Sequence, residues 1–593
     1  MEITSENFAA EFDNMTAALK SADFIAFDCE FTGLGRGSRT VGPYDTPQIV
    51  YSKFKENVGD FMTVQIGLCP FWYQEDSDSY EYAAYSCYVF PRVPQEFHGM
   101  SRALDCVRAG HSFQTEAFGI LAASSFDFNK WVRQGVGFIR QSDVDAIRSE
   151  KERLEALHFE NLKKPQEPFL SDSMKPNINK LMAKIDHFVH NSKPEDVFEL
   201  PNLVGIERKL MYHSVEHKYG MQLYVESVRP PDCANGHQRI MRFHRCTTMQ
   251  EYKLKRQARL DQEMQLLLDA KGFTAVLEFL SESKVPLVGH NSLMDMLHLY
   301  KAFYADLPTS FEQFQKSNFG NFLKNLFDTK LICSQPPLKP HIGLNGSLGE
   351  VRERVRTPPF NAVKFSARNE KFAYENGTNC ENGDSTGGAE ESAALPLGEN
   401  YHNAAYDAFV TGQIFVHLAD YWAVTKTPSR QEKRIPWEVV NPLKNKFTVP
   451  RVVDVAYLDI DPGHKFVPKR DHVFHVQMAD NTMKSRDLCS IFSKFGPVNV
   501  SWQAADSAWV ALQKREQSQH AKRILCDGIA SGNQQAAKKA KIVKKSPPKE
   551  EKNGAEGQEK EKKYQIAWAV DYLRDCERRI FALDVQKTDE KME

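Results

Sequence analysis

The sequence predicts an α/β protein whose main domain is built on a mixed sheet, interrupted by a small α+β domain and followed by an α+β sandwich. Two observations predict the main domain. Strand-like segments at 24–31, 62–68 and 85–90 follow one another with no evident helix between them, which indicates an antiparallel start to the sheet. A strand at 285–288 followed by a helix at 292–304 then returns to the α/β pattern.

Changes of pattern along the 593 residues predict the other domains. Helix-like segments at 178–189 and 206–219 precede strands at 221–228 and 239–244, which is the content of a small α+β insert. Residues 471–527 follow the order strand, helix, strand, strand, helix, typical of an RNA-recognition-like (RRM-like) domain. The predicted boundaries are 1–165 and 249–428 for the main domain, 170–248 for the insert, 440–528 for the RRM-like domain and 529–593 for a basic linker with a last helix.

The remaining elements are predicted from periodicity and composition. Helices are expected at 8–19, 147–162, 249–270, 404–421 and 564–583, with another beginning within 126–131. Residues 375–400 and 531–563 have few apolar side chains to bury, so the first is expected to be a mobile loop and the second to be disordered.

Composition limits the class of protein. Lys plus Arg number 76 and Asp plus Glu 78, so any attraction to nucleic acid must come from local patches. The eleven cysteines form no Cys-x-x-Cys pair, which is typical of reduced thiols in the cytosol or nucleus. The first residues lack the apolar core of a signal peptide, and no apolar run is long enough to span a bilayer. We therefore expect a soluble intracellular protein with no membrane partner.

The first strand carries two acids in an apolar setting. Asp28 and Glu30 alternate with Phe27, Cys29 and Phe31, so both carboxylates face the same side of the strand. Neighbouring carboxylates on a mostly buried strand repel each other and lose hydration, unless a cation lies between them. The pair therefore predicts a divalent-metal site, although many Asp-x-Glu triplets are simply solvated.

Later residues could complete this site. Asp295 lies near the start of the helix that follows the strand at 285–288, and His402 stands five residues before Asp407. Each has a simpler interpretation. The negative charge of Asp295 could simply interact favourably with the positive N-terminal end of its helix. A His-x4-Asp spacing arises about once by chance in a chain of this composition. Four acids and a histidine together suit phosphodiester hydrolysis, because Mg²⁺ prefers carboxylate oxygens and two such ions can stabilise the attacking and leaving oxygens.

This set resembles the DEDD family of 3′-to-5′ exonucleases, in its histidine-bearing branch, because Asn403 stands where the other branch has tyrosine. Within that family the chain is similar to the poly(A)-specific ribonucleases, or deadenylases. The similarity extends through five segments: 24–33, FDFNK at 126–130, VGHN at 288–291, FDTK at 327–330 and 401–412. It implies an RNase H-like nuclease fold interrupted by an RxxxH-type domain and followed by the RRM-like domain.

The resemblance implies a role for each residue of the set. Asp28 would bridge two Mg²⁺ ions, Glu30 and Asp407 would help to hold the ion on the nucleophile side, and Asp295 would support the other ion. His402, whose side chain type titrates near neutral pH, would deprotonate or orient the attacking water. The implied reaction removes 5′-AMP from the 3′ end of polyadenylated RNA.

Substrate contacts are also carried over from the resemblance. Phe31 and Leu34 would form walls for the terminal adenosines, Asn291 would hydrogen-bond the substrate, and Lys330 would meet a phosphate. From the sequence alone Phe31 would be interpreted as a core residue, because buried aromatic side chains are common. The insert departs from its motif, because Tyr212 stands four residues after Arg208, where the RxxxH pattern has histidine.

The RRM-like domain departs from its pattern as well. Residues 506–512 (DSAWVAL) depart from the pattern of basic and aromatic side chains expected of the main RNA-stacking strand, so ordinary readout by aromatic side chains of the sheet is not expected. Trp502 stands where the deadenylases use a tryptophan to stack on the 7-methylguanosine cap, although it could also merely pack the domain.

Three functional readings remain open. The first is a cap-responsive poly(A) exoribonuclease, the second a non-catalytic RNA- and cap-binding regulator, and the third a broader RNA-trimming or DNA exonuclease. The resemblance also implies a homodimer. The basic cluster at 538–545 predicts nuclear import, so the protein is expected in nucleus and cytoplasm.

Overall fold

The structure is a computed structural model. It describes the ranges 1–35, 41–92, 110–163, 169–193, 196–200, 203–228, 239–317, 322–323, 325–343, 346–372, 401–449, 451–463, 468–527 and 564–592, with the side chains of the last range described as far as 580. The predicted mobile loop at 375–400, the disordered segment at 531–563 and the basic cluster at 538–545 lie outside these residues.

The contacts divide the chain into two compact units. The first comprises Met1–Phe90, Ala109–Val136 and Ala275–Glu593, and the described residues of the second lie almost wholly in Gly137–Thr274. The predicted insert at 170–248 falls inside the second unit.

The first unit contains an eight-stranded mixed sheet, as the predicted fold class requires. Its strands are β1 (Glu2–Ile3), β2 (Phe24–Phe31), β3 (Thr63–Gln74), β4 (Ser79–Tyr82), β5 (Tyr85–Tyr88), β9 (Leu287–Gly289), β10 (Leu326–Asp328) and β11 (Phe365–Ala367). The order is β1-β5-β3-β2-β9-β10, with β4 paired to β3 and β11 to β4. Strand β2 is antiparallel to β3 and parallel to β9, so it lies in the middle of the sheet.

Helices surround this sheet. Those of the first unit before residue 430 are α1 (Phe8–Ser21), α2 (Pro47–Val58), α3 (Thr115–Ala123), α4 (Phe128–Gln134), α9 (Thr274–Ser283), α10 (Leu293–Leu299), α11 (Phe311–Lys316), α12 (Thr329–Cys333), α13 (Lys339–Ile342), α14 (Leu348–Val355) and α15 (Ala404–Lys426). The long helix α15 packs across β2 and β3 in an apolar cluster that also includes Phe24 and Phe71.

One prediction for this region is wrong. Helix α2 separates β2 from β3, where no helix was expected. Thr46 caps it by accepting a hydrogen bond from the amide of Ile49, and Pro47 occupies the first turn, where its missing N–H costs nothing. The antiparallel start of the sheet was predicted correctly.

The second unit is an α+β body. It contains α5 (Gln141–Lys163), α6 (Lys175–Asn191), α7 (Gly205–Tyr219) and α8 (Met249–Asp269), with β6 (Val197–Leu200), β7 (Leu223–Val228) and β8 (Ile240–Arg245). The strands form an antiparallel sheet in the order β6-β8-β7, packed on α6 and α7.

The RRM-like domain belongs to the first unit. A short helix, α16 (Trp437–Val440), and the pair β12 (Lys446–Thr448) and β13 (Tyr457–Asp459) precede it. The domain comprises β14 (Val473–Met478), α17 (Ser485–Phe492), β15 (Val498–Ala504), β16 (Ser507–Leu512) and α18 (Ser518–Leu525), followed by β17 (Tyr564–Trp568) and α19 (Ala569–Met592). The sheet order is β15-β16-β14-β17.

The prediction of a helix from residue 564 is therefore wrong in its first turn. Residues Tyr564–Trp568 pair antiparallel with β14 and complete the sheet, and the helix begins at Ala569. The pairing joins residues far apart in sequence, such as Met478 and Tyr564, and the side chains of Tyr564, Ile566 and Trp568 alternate onto the core as in any strand.

Candidate active site

The two acids of β2 lie at the centre of the sheet. In the register of the antiparallel pair, Asp28 lies opposite Gly67 of β3, and Glu30 lies opposite Gln65. Both acids are partly buried on one face, while Phe27 and the other alternate residues are buried on the opposite face. The predicted alternation along β2 is confirmed.

Helix α15 begins directly against this pair. The side chain of Asn403 accepts hydrogen bonds from the amides of Ala405 and Tyr406 at 3.1 and 3.3 Å, which fixes the first turn. Gln65 Oε1 accepts a hydrogen bond from the amide of Ala404 at 3.0 Å. Gly67 allows the close approach, because a Cβ there would lie 1.9 Å from the carbonyl oxygen of Ala404. The start of the helix is thus held over β3, and Asp407 lies in its first turn.

Three predicted site residues offer ligand atoms to one point. The ligand atoms of Glu30, His402 and Asp407 all lie within 4.8 Å of one another. His402 adopts a φ of 66°, and its amide donates a hydrogen bond to Asp407 Oδ2 at 2.9 Å, while its side chain is exposed. The other oxygen, Oδ1, is buried and accepts no hydrogen bond from the described residues. A buried carboxylate oxygen without a donor fits a cation ligand.

Asp295 joins the cluster from the other side of β2. It lies in the first turn of α10, immediately after β9, and its side chain is buried. Burial raises the pKa of Asp295 to about 7, although hydrogen bonds from the amides of Asp295 itself and of Cys29 act in the opposite direction.

Burial dominates the electrostatics of the acids, and the charges of neighbouring acids add to it at Asp28 and Glu30. Burial, and then the charges of Asp407 and Asp295, raise the pKa values of Asp28 and Glu30 well above their usual range. Burial also raises the pKa of Asp407 to about 7, opposed by the amide of His402 and by the charge of Arg352. Four carboxylates that hold protons this strongly are suited to a divalent cation, which neutralises two charges at once.

Two contributing residues were not found from the sequence. Arg352 of α14 is only 3 % exposed, donates a hydrogen bond from Nη1 to the Tyr406 hydroxyl at 2.6 Å, and lowers the pKa of Asp407. Nothing in the local sequence distinguishes it from the charged residues around it. Asp328 is buried, and Oδ1 accepts hydrogen bonds from the amides of Asn291 at 2.8 Å and Lys330 at 3.0 Å. Its position directly before helix α12 was the available signal, since Asp is a common N-cap.

The predicted substrate contacts lie around this cluster in different environments. Phe31 is 7 % exposed and stacks on His298 with ring centroids 4.0 Å apart, so packing accounts for its position. Leu34 is 60 % exposed, and its amide donates to Gln114 Oε1 at 2.7 Å. Asn291 is exposed at a φ of 58°, and Lys330 is partly exposed. Their roles with RNA stay predictions.

The predicted cap contact lies on an edge strand. Trp502 belongs to β15, is 38 % exposed, and donates a hydrogen bond from Nε1 to Ser485 Oγ at 2.8 Å. The ring is thus anchored at one edge and partly open to solvent. Stacking on a cap base stays a prediction.

A mixed α/β sheet with a buried carboxylate cluster beside an exposed histidine is suited to metal-assisted hydrolysis. The model of the CAF1 family of ribonucleases matches residues 3–415, and that of an RNA binding domain matches residues 463–530. The chain therefore belongs to the CAF1 family of ribonucleases, and the sequence-based expectation of a nuclease with an RNA-binding domain is confirmed.

The chain is similar to named poly(A)-specific ribonucleases and to a 3′-exonuclease. The chain is 30 % identical to poly(A)-specific ribonuclease PARN of Homo sapiens over 530 residues, which cover 87 % of this chain and 77 % of that protein. It is 29 % identical to the PARN of Xenopus laevis over 592 residues, covering 98 % and 85 %. It is 25 % identical to the pre-piRNA 3′-exonuclease trimmer of Bombyx mori over 522 residues, covering 86 % and 88 %. The resemblance to the poly(A)-specific ribonucleases is confirmed.

Within the described residues, no helix is both long and apolar enough to cross a membrane.

Proposed function

We propose that this protein is a poly(A)-specific 3′-to-5′ exoribonuclease that hydrolyses the tail of RNA and releases 5′-AMP. The observation that carries the proposal is the convergence of Glu30, His402 and Asp407 on one point beside Asp28 and Asp295. The names of its relatives, poly(A)-specific ribonucleases and a 3′-exonuclease, support the substrate and the direction.

The acids would hold divalent cations, for which Mg²⁺ is the proposed choice. Asp28, Glu30, Asp295 and Asp407 would hold these ions, with Glu30 and Asp407 on the side of His402. When bound, the ions would offset the charge of the carboxylates and of the phosphate and stabilise the oxygens that carry developing charge. The unpartnered Oδ1 of Asp407 and the raised pKa values of the acids support this fit.

Other side chains would accept the proton of the attacking water and orient the substrate. The exposed imidazole of His402 would accept the proton of the attacking water, because its ring nitrogen lies within 4.8 Å of carboxylate oxygens of Glu30 and Asp407. Asn291 and Lys330, both fixed through Asp328, would orient the 3′-terminal nucleotide and its phosphate. Phe31 and Leu34 would limit the space open to the terminal bases.

Substitution of one acid tests this function. Asp28→Ala should lower the turnover of oligo(A) in Mg²⁺ by about a thousandfold or more, because the charge that the ions require is removed. Asp76→Ala, which removes an exposed acid from a surface turn, is the matched control and should keep full turnover. Unchanged turnover in folded Asp28→Ala protein would exclude the assignment.

Two other functions can be separated by substrate. A non-catalytic RNA- and cap-binding regulator would bind oligo(A) but release no 5′-AMP. A broader exonuclease would degrade oligo(U) or oligo(dA) as fast as oligo(A). We expect release of 5′-AMP from oligo(A) at more than about ten times the rate of the other two, since discrimination between bases corresponds to about 1–3 kcal/mol.

The RRM-like domain is proposed to bind the 7-methylguanosine cap through Trp502. The partly exposed ring supports this role, because a cationic base stacks well on an indole. A cap analogue should quench tryptophan fluorescence, whereas unmethylated GTP should not. Quenching that survives Trp502→Ala would contradict the assignment. Faster digestion of capped than of uncapped polyadenylated RNA would link the cap to catalysis.

A homodimer is proposed from the resemblance to the poly(A)-specific ribonucleases, and a distribution between nucleus and cytoplasm from the basic cluster at 538–545. The chain mass is 67.7 kDa, so sedimentation equilibrium should give about twice that value. Replacement of the lysines at 538–545 by alanine should move a fluorescently tagged protein from the nucleus to the cytoplasm. A monomer, or an unchanged distribution, would contradict the respective proposal.

A further inference from the structure

The sheet of the RRM-like domain has two buried faces. Alternate residues of β14 and β16, such as Phe474 and Val510, pack on helices α17 and α18. The opposite side chains of the same strands, including His475 and Trp509, face the other way and are also buried, with Trp509 only 1 % exposed. In domains of this type the second face is the one on which bases of single-stranded RNA stack.

Helix α19 occupies that second face. The Tyr572 ring lies parallel to the His475 ring, with centroids 3.8 Å apart and planes inclined by 16°. It meets Trp509 edge-on at 5.5 Å. Ala569 and Leu573 are buried in the same cluster. A tyrosine stacked at this distance fills the space that an unpaired base would take on the sheet.

The nuclease fold covers the rest of the face. Tyr44 meets Trp509 edge-on at 5.7 Å, and Ile49 of α2 is buried in the same cluster. Tyr44 belongs to the segment between β2, which carries Asp28 and Glu30, and α2. The covered sheet face therefore lies against the segment that follows the catalytic strand.

Polar contacts fix the same segment. The buried guanidinium of Arg470 donates hydrogen bonds to the carbonyl oxygens of Tyr44 and Asp45, and pairs with Asp454 at 2.7 Å. The hydroxyl of Thr46 donates a hydrogen bond to Glu577 of α19. Both the body of the domain and its last helix thus contact residues 44–46.

We propose that residues 564–580, named here the C-terminal strap, are a built-in occupant of the RNA face of this domain. With the strap in place, the sheet is a docking surface for residues 44–46 of the nuclease and is closed to single-stranded RNA. The strap is thereby a positioning element for the segment that follows the catalytic strand. This inference does not depend on the catalytic roles assigned to the acids.

Two observations favour permanent docking over displacement of the strap by RNA. First, α19 and the nuclease segment with Tyr44 and Ile49 cover this sheet face together. Release of α19 alone would leave Tyr44 and Ile49 on the sheet, and release of α19 and this segment would expose a large apolar cluster. Second, β17 pairs through its backbone with Phe474–Met478 of β14 and anchors the strap at one end. The Trp568 indole Nε1 also donates to the carbonyl oxygen of Asp471 at 2.8 Å.

Crosslinking tests the closed face in the full chain. Single-stranded RNA that carries 5-iodouridine is irradiated with the protein in EDTA, and crosslinked peptides are mapped by mass spectrometry. We expect no crosslink within Val473–Met478 or Ser507–Leu512 of the wild-type protein. Crosslinks to His475 or Trp509 there would overturn the proposal.

Hydrogen exchange tests the positioning role. Leu573→Asp should accelerate amide exchange at residues 41–58 by about tenfold or more, because local opening no longer requires the docked strap to separate. Tyr572→Ala, a milder change that removes only the stacked ring, should accelerate it in the same region and keeps the test valid should the first variant not fold. Arg578→Ala, on the exposed side of α19, is the matched control and should leave exchange unchanged. Unchanged exchange at 41–58 in a folded variant of the docked side would overturn the positioning role.

Discussion

Single side chains in the acid cluster serve two requirements that conflict. Asp407 accepts a hydrogen bond from the amide of His402 with one oxygen and leaves the other without a donor. Burial raises its pKa to about 7, so the metal-free protein loses free energy whenever this group is ionised. The same ionised form is the one that binds a cation. At this scale, binding capacity is obtained at the expense of stability.

A first prediction follows from the sign of that shift. An unfolded Asp titrates near about 4, whereas Asp407 in the fold titrates at about 7. Between these values the folded state binds more protons than the unfolded state, so the free energy of unfolding falls as pH rises. In EDTA at pH 8, Asp407→Asn should therefore be more stable than wild type by about 1–3 kcal/mol. Urea denaturation at pH 8 and at pH 4 measures the difference, which should largely disappear at pH 4. An equal difference at both pH values would contradict the charge explanation.

A second prediction concerns Asp328, which accepts hydrogen bonds from the amides of Asn291 and of Lys330 in the first turn of α12, and from the amide of Thr448 at 2.9 Å. Asp328→Ala leaves these amides without this acceptor, so the free energy of unfolding should fall by about 2–4 kcal/mol. The KM for oligo(A) should rise because Asn291 and Lys330 are held less firmly. Ser347→Ala removes a different cap, at the start of α14, and should cost about 1 kcal/mol with KM unchanged. Equal effects of the two substitutions on KM would count against the role of Asp328.

Site residues could be predicted where a local sequence pattern marks them, and not where only a contact between distant segments brings them to the site. The pair Asp28 and Glu30 was visible because strand alternation is local, and the histidine spacing was visible through family resemblance. Arg352 lies on α14 and donates a hydrogen bond to Tyr406 of α15, so only the fold brings its charge near Asp407. The stack of Phe31 on His298 likewise joins residues from distant segments, and its alternative interpretation as a core residue came from burial habits alone.

At the scale of elements, the site depends on how closely α15 approaches β3. The carbonyl of Ala404 lies where a Cβ of residue 67 would be, so only glycine permits this register. A second close approach occurs at Gly412, whose Cβ would lie 2.1 Å from the Phe71 ring. The two glycines let the helix lie flat on the sheet with Asp407 over β2.

The third prediction tests this approach. Gly67→Ala should shift the start of α15, lower the free energy of unfolding by about 2–4 kcal/mol and reduce turnover by about a hundredfold. Gly119→Ala in α3 is the matched control, because a Cβ there meets nothing within 4 Å. It should keep turnover and gain up to about 1 kcal/mol from helix propensity. Thermal unfolding and oligo(A) turnover measure both variants. Full turnover in Gly67→Ala would show that the close approach is unimportant.

Elements with a distinct composition were predicted well, and those with indistinct boundaries were not. Strand β2 is an apolar run that carries two acids, and helix α15 is a long, mostly apolar segment that follows a polar one. Helix α2 was missed although Thr46 and Pro47 give a recognisable start. The error at β17 is one of boundary, because Tyr564, Ile566 and Trp568 alternate as in a strand but the strand runs directly into α19.

At the scale of the whole chain, the acids connect segments that are remote in sequence. Asp28 and Asp407 belong to opposite ends of the nuclease part, with Asp295 between them. A cation bound among them must be released before these segments separate. Ligand binding to the folded state alone adds about 2.7 kcal/mol at a hundred times Kd.

A fourth prediction follows from this linkage. Mg²⁺ should raise the unfolding temperature of the wild-type protein, and by more at pH 8 than at pH 6, because protons compete for Asp295 and Asp407 below about pH 7. Calorimetry with Mg²⁺ or EDTA at both pH values measures the shift. Asp28→Ala should show little shift at either pH. A shift that is independent of both pH and Asp28 would point to a cation bound elsewhere.

The pairing of β17 with β14 has a consequence for biosynthesis. When β14, β15 and β16 have left the ribosome, the edge of β14 still lacks its neighbour, and His475 and Trp509 still lack α19. At about 5–20 residues per second, the segment up to Trp568 takes several seconds to synthesise. During that interval the nascent chain exposes an open strand edge and an apolar face, which are the features that chaperones bind and that promote aggregation. Codon changes that slow translation between 528 and 563 would lengthen the interval, and should lower the soluble yield without altering any residue of the finished protein.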